Sequence, residues 1–222
     1  MSGKANFLFF IAIIVVLGII VLFFGNGGKY SSGVNYFLSL VNNNQGGKAT
    51  EYVLYKFTEK DWESMIKLVD NESEKIPPIY IMLVSDYVYT KDKDKAIVYY
   101  YTGRLRAKED VYMCKDKSAA QQIYMYPKAA PETLAYAEER IFAQNDKQYL
   151  ADVLQQALDW DMAHPKRYDP TWACYHGISN FYKKGKPELV SKQEQEEIIR
   201  QERENVEKTI EQLKSGEFDL KI

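Results

Sequence analysis

The first hydrophobic run of the chain constrains its architecture more than any other feature. Residues Phe7 to Phe24 contain no charged and no polar side chain over 18 positions. At ~1.5 Å per residue, a helix of this length spans about 27 Å, close to the ~30 Å hydrocarbon core of a bilayer. We therefore expect one transmembrane helix, with the lipid bilayer as its partner, followed by a water-soluble domain.

Two other interpretations of this run are open. It resembles a signal peptide in one respect, because Gly25 and Gly27 fit the small positions of a cleavage site. Against cleavage, the run is longer than the ~7–15 apolar residues of a signal peptide, and only Lys4 supplies a charge before it. A buried core helix is disfavoured because the run is apolar on every face. The prediction is an uncleaved signal anchor.

The composition after the anchor divides the chain into three parts. Residues 1–28 form the N-terminal tail and anchor, residues 29–50 a flexible tether with a short helix, and residues 51–222 an all-α soluble domain. The tether is predicted from two Gly- and Asn-rich segments, Gly25–Gly28 and Asn42–Gly47. The short N-terminal tail favours a cytoplasmic N-terminus. The expected location is a bacterial inner membrane, with the domain in the periplasm.

Helix start signals recur through the domain and predict a set of helical hairpins. Thr58, Asp146 and Ser191 each precede a segment with helical apolar spacing, as expected of N-cap residues. Pro78 fits the first turn of a further helix. These segments are joined by short connections, which is typical of helix bundles.

The segment from Ala96 to Cys114 is predicted to be the most amphipathic helix of the domain. Arg104 and Arg106 fall at its polar positions, on either side of Leu105. They are candidates for binding an acidic partner. The alternative is a solvated face on which they pair with neighbouring carboxylates.

Charge and motif content narrow the function classes. The chain has 29 basic and 31 acidic residues and a formal net charge of −2, which argues against a nucleic-acid-binding protein with a concentrated basic face. No G-x-x-x-x-G-K-[ST] loop and no G-x-S-x-G motif is present, so we predict neither a cofactor nor an enzymatic activity. The 18 tyrosines suit either a recognition surface or the grooves between packed helices.

The oxidation state expected for the two cysteines, Cys114 and Cys174, depends on the cellular compartment of the domain. An exported domain permits one disulfide between them, which would contribute about 3–4 kcal/mol by limiting the unfolded chain. A cytoplasmic domain would instead keep both as buried thiols.

A short segment is similar to a known helical repeat. Lys95–Tyr100 (KAIVYY) resembles the K-A-x-x-W-Y core of tetratricopeptide-related repeats, with Tyr99 in place of the usual tryptophan. Met82–Tyr87 fits the first helix of the same hairpin. The resemblance covers about 30 residues and has no second copy, whereas at least three repeats are normal. It implies a helical-hairpin scaffold that binds protein or peptide, and it transfers no functional residue.

The densest cluster of chemically useful side chains lies between Leu158 and Gly177. This stretch holds both histidines of the chain, two of its three tryptophans and three aspartates. The candidate metal ligands are His164, His176, Asp161 and Asp169, although no zinc-binding spacing fixes their geometry. The alternative is a structural loop in which Trp160 and Trp172 anchor a turn between helices.

The function expected from these features is a membrane-anchored helical module that binds a protein partner outside the cytoplasm, such as an immunity-type protein. Two alternatives are a metal-dependent enzyme that uses the 158–177 stretch and a structural subunit of an envelope complex, docking through the last helix. The candidate partner-binding residues are Trp160, Trp172, Tyr168, Arg104 and Arg106.

Overall fold

The computed structural model describes residues 29–182 and 185–218, and these residues form an all-α fold, as predicted. Within these two ranges no β-strand is present, and Cys114 and Leu189 form one isolated bridge. The helices are α1 (Ser32–Asn42), α2 (Gly46–Lys56), α3 (Glu59–Glu72), α4 (Pro78–Tyr89), α5 (Lys93–Tyr112), α6 (Pro131–Ala137), α7 (Lys147–Ala163), α8 (Thr171–Cys174), α9 (Ser179–Tyr182) and α10 (Lys192–Ser215). Short 3₁₀ segments cover Ser73–Lys75, Lys117–Tyr124 and Tyr126–Ala129, and a π-helical turn covers Glu138–Ala143.

The predicted transmembrane anchor, Phe7 to Phe24, lies outside the described residues. Among the helices of the described part, none is both long and apolar enough to cross a bilayer.

Side-chain caps account for where the main helices begin. Thr58 and Asp61 form a reciprocal capping box at the start of α3, in which each side chain binds the other residue's backbone N–H. Asp146 and Ser191 accept hydrogen bonds at the starts of α7 and α10. Pro78 occupies the first turn of α4. Each cap satisfies a backbone group that the helix leaves unpaired, and all three predicted N-caps are confirmed.

Helix α5 is the centre of the domain and is buried on nearly all sides. It contributes side chains to each of the three apolar clusters of the core: Tyr99 to the first, Tyr100 to the second and Ile97 to the third. Only Lys93, Asp94 and Arg104 of this helix are exposed, so it has no continuous solvated face. The expectation of an amphipathic helix over this segment is therefore wrong.

Helices α4 and α5 form a closely packed hairpin. A Cβ atom added at Gly103 would lie 2.6 Å from Met82 Cγ and 3.1 Å from the Pro78 carbonyl oxygen. Only glycine permits this approach of the two helices. The tetratricopeptide-like segments, Met82–Tyr87 and Lys95–Tyr100, lie in this hairpin, and their relation to that repeat family stays a prediction.

The stretch predicted to be a tether, 29–50, packs as part of the helical domain. Val34 and Phe37 of α1 have no exposed surface, and Phe37 packs edge-on against Tyr80 of α4. The Gly- and Asn-rich segment is a turn between α1 and α2. The domain therefore begins before the predicted boundary at residue 51, because the short apolar segment in α1 belongs to the main core.

The last helix, α10, packs inside the domain along one side. Its apolar residues Ile210 and Leu213 are buried in a cluster shared with α5 and α7. A left-handed Gly216, with φ of 81°, ends the helix.

Candidate binding cleft

The described residues enclose a cleft of about 670 Å³ between the α1–α2 turn and the loop that follows α7. Its floor comes from the start of α4. The lining residues are Val41, Asn42, Asn44, Gly46, Gly47, Thr50, Pro77, Ile79, Tyr80, Arg167, Tyr168, Asp169, Trp172, Tyr175 and His176. This mixture of aromatic rings and a few polar groups is typical of ligand sites.

A tyrosine from the floor holds the α1–α2 turn in place. Tyr80 is 2% exposed, and its hydroxyl donates to the Gly46 carbonyl at 3.1 Å and lies 3.2 Å from Thr50 Oγ1. Asn44 takes a left-handed conformation, with φ of 56°, which asparagine tolerates better than most residues. The turn is thus fixed by a side chain more than 30 positions along the chain.

The opposite wall, residues 166–172, is held through its backbone and its side chains. The backbone N–H groups of Arg167 and Tyr168 donate to the Glu74 carbonyl at 2.7 and 3.1 Å. The Tyr168 hydroxyl and Trp172 Nε1 both donate to Asp110 Oδ2, at 2.9 and 2.8 Å. The aromatic rings of this wall are therefore positioned before any ligand arrives.

Asp110 belongs to a buried charge network that connects α5, α7, α10 and the loop. The Arg106 side chain has no exposed surface, and its Nε donates to Asp161 Oδ1 at 2.6 Å. Its other nitrogens donate to the carbonyls of Ser73 at 3.2 Å and His164 at 2.6 Å. Arg203 of α10 binds the second oxygen of Asp161 at 2.6 Å. Paired and hydrogen-bonded in this way, the charges are tolerated in the interior.

Lys166 joins the loop to the same network. Its Nζ lies 2.6 Å from Glu109 Oε2 and 2.8 Å from Asp110 Oδ1, and both carboxylates are fully buried. Burial raises the pKa of Glu109 to about 7, against the opposing attraction of Lys166. Burial also raises the pKa of Tyr168 well above its ordinary value, and the neighbouring Asp110 charge adds to this effect. Tyr168 is thus a neutral donor at physiological pH.

The charges at the cleft itself are few. Asp169 Oδ1 accepts from the Thr171 N–H at 3.0 Å, and Oδ2 lies 2.8 Å from Lys186 Nζ. Partial burial lowers the pKa of His176, which disfavours the charged form of its ring. The Arg167 side chain is exposed, and within the described residues it takes part in no ion pair.

The structure brings together only part of the predicted site. Tyr168, Trp172, Asp169 and His176 line the cleft. Arg106 does not meet solvent, because it is enclosed by the charge network. Its neighbour Arg104 is exposed and lies over the Tyr100 ring, away from the cleft.

Trp160 and the remaining candidate metal ligands lie elsewhere. Trp160 stacks on Tyr99 with ring centroids 5.2 Å apart. The His164 ring nitrogen Nδ1 lies 2.8 Å from the Trp160 carbonyl, which makes it part of the end of α7. Asp161 is held by two arginines. In the ranges that the structure describes, no three His, Cys, Asp or Glu residues form a group that could hold a metal ion.

The two cysteines are bonded to each other, with an S–S distance of 2.02 Å and Cα atoms 5.4 Å apart. The bond joins the residues that follow α5 to the short helix α8, which carries Trp172. It therefore adds a covalent link behind the aromatic wall of the cleft.

Sequence reasoning missed Arg167, Tyr175 and Tyr80, and it missed the role of the α1–α2 turn. The sequence NNNQGG marks a turn but says nothing of what faces it. The wall that faces this turn across the cleft comes from residues 167–176, more than a hundred positions later.

Comparisons with known protein families, with curated proteins and with solved structures give no match. The residues of the cleft are therefore the basis on which a function can be proposed for this chain.

Proposed function

We propose that the chain is a membrane-anchored binding module whose cleft receives a segment of a protein partner outside the cytoplasm. The single observation that supports this role is the cleft of about 670 Å³, with aromatic rings along one wall and exposed backbone of a turn along the other. Exposed backbone and aromatic faces together suit an extended peptide, which offers both hydrogen-bonding groups and side chains.

The rigidity of the walls supports binding in particular. Asp110 fixes both Tyr168 and Trp172, and Tyr80 fixes the opposite turn. Side chains that are already ordered lose little entropy when a ligand arrives, so more of the contact energy appears as affinity. Tyrosine and tryptophan also carry much of the binding energy at protein interfaces.

The position at the membrane rests on the apolar run and the cysteines. Five peptide steps separate Phe24 from Lys29, and at ~3.5 Å per step they reach about 17 Å. An anchor at Phe7 to Phe24 would therefore hold Lys29, where the described domain begins, within this distance of the anchor's end. A Cys114–Cys174 disulfide persists in oxidising compartments such as the periplasm. An immunity-type protein is one form of this proposed function, and a structural subunit of an envelope complex is the alternative to it.

Site-specific photocrosslinking in cells tests the binding role. Tyr175 is half exposed at the cleft, whereas Tyr124 is an exposed tyrosine outside it. We expect full-length chain with p-benzoylphenylalanine at position 175 to give a discrete protein adduct, and the same residue at position 124 to give none. Equal adduct patterns at both positions, or none at position 175, would overturn a protein-binding cleft.

Thiol labelling in the same cells tests the location separately. A maleimide reagent added before reduction should leave Cys114 and Cys174 unmodified if the domain is exported. Complete labelling of both cysteines in denatured, unreduced extracts would refute the extracytoplasmic location, whatever the crosslinking shows.

A further inference from the structure

We infer that the cleft selects a partner segment with an acidic side chain two positions from an apolar or aromatic one, and that Arg167 binds the acidic residue. This inference rests on the proposed function and deepens it by naming the chemistry of the partner.

The charge balance of the cleft lining is the first observation. The lining contains one arginine, Arg167, and one carboxylate, Asp169. Asp169 is already occupied by Lys186 Nζ at 2.8 Å and by the Thr171 N–H at 3.0 Å. Partial burial lowers the pKa of His176, so the charged form of its ring is disfavoured. One positive charge is left without a counter-charge among the described residues, and a carboxylate is its natural complement.

The way in which Arg167 is held is the second observation. Its backbone N–H donates to the Glu74 carbonyl at 2.7 Å, and the adjacent Lys166 is tied to Glu109 and Asp110. The main chain is thus fixed while the guanidinium extends into solvent at the cleft. An arginine placed in this way can present two parallel N–H groups to a carboxylate without reordering its own loop.

The opposite wall of the cleft, at the start of α2, also carries positive electrostatic potential. The first turn of α2, Gly46 and Gly47, lines the cleft, and Gln45 before it makes no side-chain capping hydrogen bond. A Cβ at either glycine would meet nothing within 4 Å, so the space in front of the turn is open. The start of a helix carries partial positive charge, which favours the same acidic group that Arg167 would bind.

The aromatic wall determines which second side chain of the partner segment is favoured, besides the acidic one. Tyr168, Trp172 and Tyr175 lie along the loop that begins with Arg167. Side chains two positions apart in an extended peptide point to the same side. A segment that turns its carboxylate toward Arg167 therefore has an apolar or aromatic side chain available for these rings.

A peptide titration of the full chain in detergent micelles tests this selection. The probes are two tetrapeptides, N-acetyl-Phe-Ala-Glu-Ala-amide and its Gln counterpart, which differ only in charge. The readout is the indole N–H resonance of each tryptophan, assigned with single Trp→Phe variants. Trp172 lies in the cleft, while Trp62 and Trp160 lie outside it and serve as internal controls.

We expect both peptides to shift only the Trp172 resonance, with about fivefold tighter binding of the Glu peptide, the scale of one exposed ion pair. Arg167→Gln should abolish the fivefold difference. Arg200→Gln, a change of an exposed arginine on α10 outside this cleft, should preserve it. Raising the salt concentration from 50 to 500 mM should weaken the Glu peptide and not the Gln peptide.

Three outcomes overturn the inference. They are equal affinities for the two peptides, a fivefold difference that survives Arg167→Gln, and no shift with either peptide. A separate crosslink at position 175 would still support the proposed function in each case. Failure of the charge selection is therefore distinguishable from failure of the binding role.

Discussion

Replacing Arg106 by methionine should destabilise the domain more than any single change of an exposed charge. The substitution keeps much of the side-chain volume but removes four donor contacts. Asp161 would keep only Arg203, and the carbonyls of Ser73 and His164 would lose their buried donors. Breaking one side of a buried ion pair costs about 3–5 kcal/mol, because the remaining charge stays in the interior.

The chain supplies a matched control for this experiment two positions earlier. Arg104 lies on the same helix, is exposed and sits over the Tyr100 ring, with 5.7 Å between the guanidinium carbon and the ring centroid. Arg104→Met should cost less than about 1 kcal/mol. For a domain of this size, 1 kcal/mol corresponds to roughly 2–4 °C in Tm, so we expect Arg106→Met to lower Tm by about 6–20 °C.

Thermal unfolding followed by far-ultraviolet circular dichroism decides between the two variants. A double variant with Asp161→Asn should lose less stability than the sum of the single changes, because both single changes break the same pair. Similar Tm values for Arg104→Met and Arg106→Met would show that the buried network contributes little, and the reasoning would then be wrong.

Three further predictions concern other parts of the domain. Because burial gives Glu109 a pKa of about 7 in the folded state, against an ordinary 4.5, the folded protein holds a proton that the unfolded chain has lost between these values. The free energy of unfolding should therefore fall as pH rises from about 4.5 to about 7. In denaturant titrations over this range, the free energy of unfolding of Glu109→Gln should depend less on pH than that of the wild type. Reduction of the disulfide should lower the free energy of unfolding by about 3–4 kcal/mol, measured by denaturant titration with and without reductant. Gly103→Ala should cost about 1–3 kcal/mol, since its Cβ would overlap Met82, whereas Gly47→Ala should be neutral or stabilising in the same assay.

Each of these predictions has a result that contradicts it. An identical pH profile for wild type and Glu109→Gln would exclude Glu109 as the titrating group. Unchanged stability after complete reduction would remove the role of the disulfide. A stabilising Gly103→Ala would mean that α4 and α5 are further apart than described.

The local features of the fold were readable in the sequence because they depend on neighbouring residues. Thr58 and Asp61 sit three positions apart, and a capping box needs nothing else. Ser191 starts α10 for the same reason, and Pro78 starts α4. Such signals require no knowledge of what packs where.

The charge network could not be read in this way. Arg106 and Glu109 look like polar positions of an amphipathic helix, and only their partners show otherwise. Those partners, Asp161 and Lys166, lie more than 50 positions later and belong to other elements. A sequence pattern reports polarity along one helix, whereas burial depends on which helices surround it.

The candidate site divides in the same manner. The loop with Tyr168 and Trp172 attracted attention through its composition, and it does line the cleft. The same composition made Trp160 and His164 candidates as well, but they lie at the end of α7, outside the cleft. Trp160 stacks on Tyr99, and the His164 ring contacts the Trp160 carbonyl. Arg167 gave no signal, since one exposed arginine resembles any other until the loop is placed.

The contact between Asp161 and Arg203 has a consequence for the order in which the chain becomes native. Arg203 lies in α10, which follows the cleft loop along the chain and is therefore synthesised after it. Until α10 docks, Asp161 lacks one of its two arginine partners. The cleft loop is attached through Lys166 and Asp110 to this buried charge network, which is then incomplete. Chains that end before Ser191 should thus lack a properly formed cleft.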